Sequence, residues 1–306
     1  FIIDYQDLDY FVSTLRFRGV KGTTGTQASF LKLFDGDEDR VKRLDSMVGR
    51  AFGFTDSFIV TGQTYTRKID SRAASVLSGI CQSASKMAND IRLLAHLKEI
   101  EEPFETSQVG SSAMPYKRNP MRAERINSLA RFVISLEGSL AFTEATQWLE
   151  RTLDDSANKR LALPQMFLGT DAVLKIAINI TLGLVVYPAV ITKHIMNELP
   201  FIASENIIME AVKKGGDRQV LHEEIRTLSQ EASRQVKEEG RENDLILRIA
   251  ASPLFDLNAD ELENLMAPSL YIGRAPGQVE EFIAAEVDPV LEREKDTPAE
   301  DASLNV

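Results

Sequence analysis

The 306-residue sequence holds one cysteine, Cys81, and three histidines, His96, His194 and His222. A lone cysteine excludes an internal disulfide framework and fits a reducing compartment. So small a stock of cysteine and histidine argues against a dedicated zinc site, and no metal is expected. Basic charge is also short, since 35 Lys and Arg stand against 46 Asp and Glu for a formal net charge of −11. Nucleic-acid binders carry the opposite imbalance, so no nucleic-acid partner is expected. Local basic clusters must then serve small anions or surface ion pairs. The longest apolar stretch, Ala172 to Ile191, is interrupted by Lys175 and Asn179 and broken at Pro188. It reads as a buried bundle helix, with no membrane partner. The N-terminus lacks the secretory order of basic residues, apolar run and small-residue cleavage site, and a cytoplasmic location is expected. Internal repeats and two-residue alternation are missing too, which leaves no convincing strand.

Helical periodicity is what remains. Hydrophobic residues make up 43% of the chain and charged residues 26%, the balance of an ordinary globular protein. Long helices are predicted over 1–17, 27–50, 66–99, 121–150 and 157–185. The third contains no proline and only Gly79, with Leu77, Ile80, Ala84, Met87, Ile91 and Leu94 spaced by threes and fours, enough for roughly nine turns. After Val185-Val186-Tyr187-Pro188 the predicted helices shorten to 189–197, 203–213, 218–238, 242–251, 258–265 and 276–290. Gly215-Gly216, Pro253 and Pro268 punctuate them. The expected fold is all-α, an elongated bundle of long helices with a smaller helical C-terminal domain. The expected domains are 1–187 for the bundle, 188–291 for the C-terminal domain and 292–306 for a disordered acidic tail. Phe1, Tyr5, Leu8, Phe11 and Leu15 lie on one helical face, so the chain starts inside a helix pattern. An N-terminal portion is therefore expected to precede Phe1, leaving the bundle incomplete at that end.

The segment 107–120 joins two long helices and carries Gly110, Ser111, Ser112, Pro115 and Pro120. A connection of this length is functional or disordered. Asn119 is a good helix cap and Pro120 suits the first helical position. A serine hydroxyl becomes a base when its alkoxide is stabilised, which Lys117 and glycine-turn amides can do. Lys117 and Asn119 can also grip a carboxylate whose charge grows in a transition state. The plainer reading is a connector with surface charges.

A second cluster, Glu150-Arg151-Thr152-Leu153-Asp154-Asp155-Ser156-Ala157-Asn158-Lys159-Arg160, opens the next long helix. Asp155 or Ser156 suits its cap, and Ser156 and Arg160 share a face. Such a helix start suits a phosphate, or else a capped turn with Arg–Asp ion pairs. Gln63, in Thr61-Gly62-Gln63-Thr64-Tyr65, can donate and accept. The segment 19–26 is rich in glycine and threonine but lacks a Gly-Lys-Ser/Thr ending and a preceding strand. It is read as a helix–helix turn near the site, not a nucleoside-triphosphate loop.

Gly110-Ser111-Ser112-Ala113-Met114-Pro115-Tyr116-Lys117-Arg118-Asn119-Pro120 resembles the signature loop of the fumarase/aspartase superfamily, and its ending resembles the adenylosuccinate lyases of eukaryotic type. Arg18 to Gln27, Thr61 to Lys68, Glu150 to Asn158 and Glu205 to Met209 resemble the same family, so the likeness reaches to about residue 290. It implies an anti β-elimination that releases fumarate, with no metal or organic cofactor. Ser111 would be the base. Lys117, Asn119, Arg125 and Gln63 would bind the succinyl end. Arg151, Ser156 and Arg160 would bind a nucleotide phosphate. The partners implied are a small nucleotide substrate and three further copies of the chain, in a homotetramer with shared sites. The family's general-acid histidine falls before the region matched here. His96 reads as remote from any motif, His194 as a surface residue and His222 as near a domain contact. If these 306 residues are the whole molecule, they are then expected to be inactive, or active only with a complementing piece. The alternatives are a related lyase, such as one acting on argininosuccinate, and a non-catalytic chain.

Overall fold

The computed structural model describes residues 1–104, 114, 116–149, 153–298 and 302. Two compact units divide the chain, Phe1–Val185 with Pro298–Val306, and Val186–Thr297.

The first unit is built on three long helices, α4 (Lys68–His96), α5 (Met121–Ala145) and α6 (Asp154–Leu182). They run up, down and up. Ser85 and Asn89 of α4 meet Asn127 near the start of α5, while Ser139 and Thr143 near its end meet Asn158 of α6. The seam of α4 is Ala74, Leu77, Cys81, Ala84, Ala88 and Ile91. These alternate steps of three and four, and their small side chains let neighbouring backbones approach. The large aliphatics of the predicted stripe are only partly in this seam, and Leu94 is exposed. Ala123, Ile126, Ala130 and Val133 face the seam from α5, and Ala162, Met166, Val173 and Ile180 from α6. On Gly169 a Cβ would stand 2.6 Å from a Val133 methyl, which marks how closely α5 and α6 pack. α6 is apolar and long enough to span a membrane by composition, but its apolar seam is spent on α4 and α5.

Before the bundle come α1 (Ile2–Ser13), α2 (Ala28–Leu33) and α3 (Glu38–Ala51). The single helix predicted over 27–50 is broken, because Asp35 and Gly36 take φ of 50° and 85°. Asp37 then caps α3 by accepting from the amides of Asp39 and Arg40 at 3.0 Å. Strand among the described residues is limited to β1 (Ile100–Glu101) and β2 (Val185–Val186).

The second unit contains α7 (Pro188–Ile202), α8 (Ser204–Lys213), α9 (Arg218–Glu239), α10 (Leu245–Ala251), α11 (Ala259–Leu265), α12 (Ala275–Phe282) and α13 (Asp288–Arg293). Ile207, Leu221, Ile225, Leu245, Ile249 and Leu262 form its core. Asp217 caps α9, and Gly240 closes it at φ 67°. Helix α13 enters the expected tail. Ala302 is buried, with its carbonyl accepting from Asn179 at 3.1 Å. Residues 299–301 and 303–306, where part of the tail expectation falls, lie outside the described residues.

Candidate active site

Two groups of side chains stand at opposite ends of the bundle. The first sits where α4 ends and α5 begins. Helix α5 starts at Met121, as the predicted range has it, but with Pro120 at the cap position and no hydrogen bond from a cap side chain. Asn119 is therefore not the cap. Glu102 takes that role from outside the helix, its two carboxylate oxygens accepting from the amides of Arg122 at 2.9 Å and Ala123 at 2.6 Å. Burial pushes the Glu102 carboxyl above its usual range, against the pull of those two amides and the Arg122 charge. The Arg122 guanidinium is itself buried and donates to the Pro103 carbonyl at 2.6 Å. These contacts tie residues 102–103 to the first turn of α5, so the Asn119 side chain is not needed as its cap.

Lys117 and Asn119 line one cavity of about 330 Å³ with Tyr116, Arg118, Glu101, Glu102, Phe104 and His96. Both are exposed, and neither side chain has a partner among the described residues. Arg118 is engaged, on Glu101 at 2.9 Å and over the Phe104 ring at 4.7 Å. Arg125, one turn into α5, is exposed at the same end. His96 belongs here too. The sequence reading placed it far from any motif, but as the last residue of α4 it is carried to the loop by the antiparallel turn into α5. Ser111 lies outside the described residues, as does Arg151.

The second group sits where α4 and α6 begin. Helix α6 starts at Asp154 with Leu153 at the cap position, so neither Asp155 nor Ser156 is its cap. Asp155 instead turns inward and pairs with Arg67 at 2.5 Å, both side chains almost wholly buried. Ser156 and Arg160 do meet, the Arg160 guanidinium donating to the Ser156 hydroxyl and, at 3.4 Å, to its carbonyl. Arg160 pairs with no carboxylate among the described residues. Gln63 is exposed on the turn leading into α4. Arg18 holds that turn from behind, donating to the carbonyls of Gly22 at 3.0 Å and Gly62 at 2.9 Å. Gly25, at φ 82°, presses so closely that a Cβ there would lie 1.9 Å from the Thr61 carbonyl oxygen. The 19–26 segment is thus a buttress for the Gln63 turn.

Around this end lies a polar ring that the sequence reading did not single out. The Lys159 ammonium donates to the Tyr65 hydroxyl at 3.0 Å, and Tyr65 donates to Asp70 at 2.8 Å. Asp70 pairs with Arg67 at 3.4 Å, and Arg67 with Asp155, and the ring closes through the turn of α6 that carries Asp155 and Lys159 four residues apart. The Arg67 amide also donates to Gln147 at 2.9 Å. Burial, then the hydrogen bond to Asp70 and its charge, push the Tyr65 phenol up to about 12. Burial and the Arg67 charge pull the Lys159 ammonium below the usual lysine range. Motif spacing gave no signal for contacts spanning 88 and 94 residues.

The first group and the second are separated by α4, whose 29 residues span about 43 Å at 1.5 Å per residue. Lys117 and Asn119 share a cavity, with Arg125 at the same end of the bundle, while Ser156 and Arg160 meet at the other end, where the Gln63 turn leads into α4, so the two sets are apart in one chain. Among the described residues no group of three His, Cys, Asp or Glu side chains is placed to hold a metal.

Solved structures share this architecture. A 3-carboxy-cis,cis-muconate lactonizing enzyme from Pseudomonas putida superposes with a TM-score of 0.73 at 22% identity, over 92% of this chain and 60% of that one. A fumarate lyase from Mesorhizobium sp. BNC1 gives 0.68 at 20%, over 93% and 62%. The fold is that of the fumarase/aspartase lyases. Family models named Lyase and Adenylosuccinate lyase C-terminus match residues 60–135 and 200–282. The adenylosuccinate lyase of Schizosaccharomyces pombe is 54% identical over 93% of this chain and 60% of its own length. That of Saccharomyces cerevisiae is 52% identical over 99% and 63%. The chain belongs to the adenylosuccinate lyase family, and it spans a little over three fifths of the length of these relatives.

Proposed function

We propose that the protein is a carbon–nitrogen lyase that eliminates fumarate from adenylosuccinate, giving AMP, and from succinyl-carboxamide imidazole ribotide. The observation that carries this reading is the exposed pair Lys117 and Asn119 at one cavity, beside a helix start already capped by Glu102. An ammonium and an amide without partners among the described residues suit an external carboxylate. Ser111 removes the proton from the succinyl carbon next to a carboxylate. The electron pair moves into that carboxylate as an aci-carboxylate held by Lys117 and Asn119. Its return forms the fumarate double bond and expels the nitrogen, which takes a proton from a general acid. In the family that acid is a histidine of a segment preceding the region matched here. Arg125 and Gln63 bind the succinyl group, and Arg151, Ser156 and Arg160 bind the phosphate. The reaction needs no metal or organic cofactor.

A substrate of this size cannot bridge the two ends of one bundle, about 43 Å apart along α4. We therefore assign each site to several copies of the chain, in a homotetramer located in the cytoplasm. Exposed Phe142 on α5 and Leu161, Leu168 and Leu182 on α6 supply apolar surface for that assembly.

The test is turnover by the full-length protein, followed by fumarate absorbance, with adenylosuccinate and argininosuccinate in parallel. Turnover of adenylosuccinate is expected. Turnover of argininosuccinate alone overturns the proposal. Ser111→Ala should abolish elimination and leave nucleotide binding intact.

A further inference from the structure

We infer that the ring formed by Tyr65, Asp70, Arg67 and Asp155, closed by Lys159, positions the phosphate-binding side chains of α6 against the Gln63 turn, and that Tyr65 is a positioning residue for the nucleotide end of the substrate. The inference rests on the phosphate assignment of Ser156 and Arg160 above.

Three observations carry it. The ring joins the two segments that bear the second group of site residues. Tyr65 lies two positions after Gln63, while Asp155 and Lys159 flank Ser156 and Arg160 on the first turns of α6. Fixing both ends of the ring fixes the spacing between a succinyl contact and a phosphate contact that are far apart in sequence.

The ring is also balanced in charge. Two cations, Arg67 and Lys159, face two carboxylates, Asp70 and Asp155. Asp70 and Asp155 are thereby engaged within the ring, and among the described residues Arg160 is hydrogen-bonded to Ser156 alone. A guanidinium kept from carboxylates is available to an external anion. Without the ring, Asp155 could turn to Arg160 and compete with the phosphate.

The ring has a direction as well. Tyr65 stays neutral, so its one proton goes to Asp70 and its lone pair takes the Lys159 ammonium. Lys159 is bent back over the Tyr65 ring, 5.1 Å from its centroid, and Arg67 lies at 4.7 Å. Tyr65→Phe removes only a hydroxyl, frees Lys159 from its acceptor and changes no charge.

The test is AMP and adenosine binding by calorimetry on the full-length protein, wild type and Tyr65→Phe. AMP should bind about tenfold more weakly to the variant, and adenosine, which lacks the phosphate, should bind equally to both. The KM for adenylosuccinate should rise by a similar factor, with kcat changed less than about threefold. In an Arg160→Gln background the Tyr65→Phe effect on AMP should shrink below about twofold, because both act on one contact. Equal weakening of AMP and adenosine, additive effects, or unchanged AMP binding would each overturn the inference. If Tyr65→Phe fails to fold, Lys159→Met is read in the same cycle. A wild type that binds AMP without turning over adenylosuccinate defeats the proposed reaction and leaves the inference to the binding result. A wild type that does neither overturns both.

Discussion

Arg67 and Asp155, 88 residues apart in sequence, meet at 2.5 Å with 3% and 1% of their side chains exposed. The pair fastens the start of α4 to the start of α6. Removing Arg67 strands two buried carboxylates, Asp70 and Asp155, which typically costs about 3–5 kcal/mol. Arg67→Met should show a loss of that order in urea denaturation, and Asp155→Asn, which leaves Arg67 its Asp70 partner, a smaller one. An Asp155→Asn variant as unstable as Arg67→Met would refute the stranded-charge account.

Tyr65 makes stability depend on alkaline pH. Its phenol is raised from 10.0 to about 12 in the folded chain. Between those values the folded state keeps a proton that the unfolded state has lost. The stabilisation is thus complete below pH 10 and is lost as pH rises through about 12. Denaturation midpoints should fall across that window more steeply for wild type than for Tyr65→Phe. Parallel slopes would show that the phenol titrates normally.

Glu102 is expected to matter to stability and to activity in different degrees. Glu102→Ala removes both acceptors from the first turn of α5 and should cost about 1–2 kcal/mol, as helix caps do. Because Lys117 and Asn119 precede that turn, kcat of the full-length enzyme should fall by more than thermal unfolding alone explains. Glu102→Gln, which keeps one acceptor oxygen, should lie between. Full activity in Glu102→Ala at a temperature where it is folded would remove Glu102 from the positioning of the loop.

Gly25 and Gly36 both have positive φ, at 82° and 85°, and differ in their surroundings. A Cβ at Gly36 meets nothing within 4 Å, while one at Gly25 meets the Thr61 carbonyl oxygen at 1.9 Å. Gly36→Ala should cost only the backbone strain, about 1 kcal/mol. Gly25→Ala must also displace the Gln63 turn and should cost at least about 2 kcal/mol more. Thermal melts of the two variants compare them directly, and equal shifts would show that the close approach is relaxed at no cost.

The helices were legible because a buried helical face repeats every three or four residues whatever it packs against. Where the reading slipped, a local rule met a distant competitor. Asn119 and Pro120 carry good helix-start chemistry, yet Glu102 supplies the cap and the helix opens at Met121. Asp155 is a good cap residue, yet Arg67 claims it. His96 looked isolated because its motif neighbours are adjacent only through the turn from α4 into α5.

The sequence by itself determined the helical class, the family, and the residue types available for a base, carboxylate grips and a phosphate grip, because these are carried by local periodicity and short contiguous motifs. Only the tertiary structure decided which of those residues share an end of the bundle, which carboxylates are already consumed, and that Tyr65, Arg67, Asp70, Asp155 and Lys159 close into one ring. Such facts depend on pairings across 80 or more residues. No local pattern encodes them, since burial and charge compensation are settled by whatever the fold brings alongside.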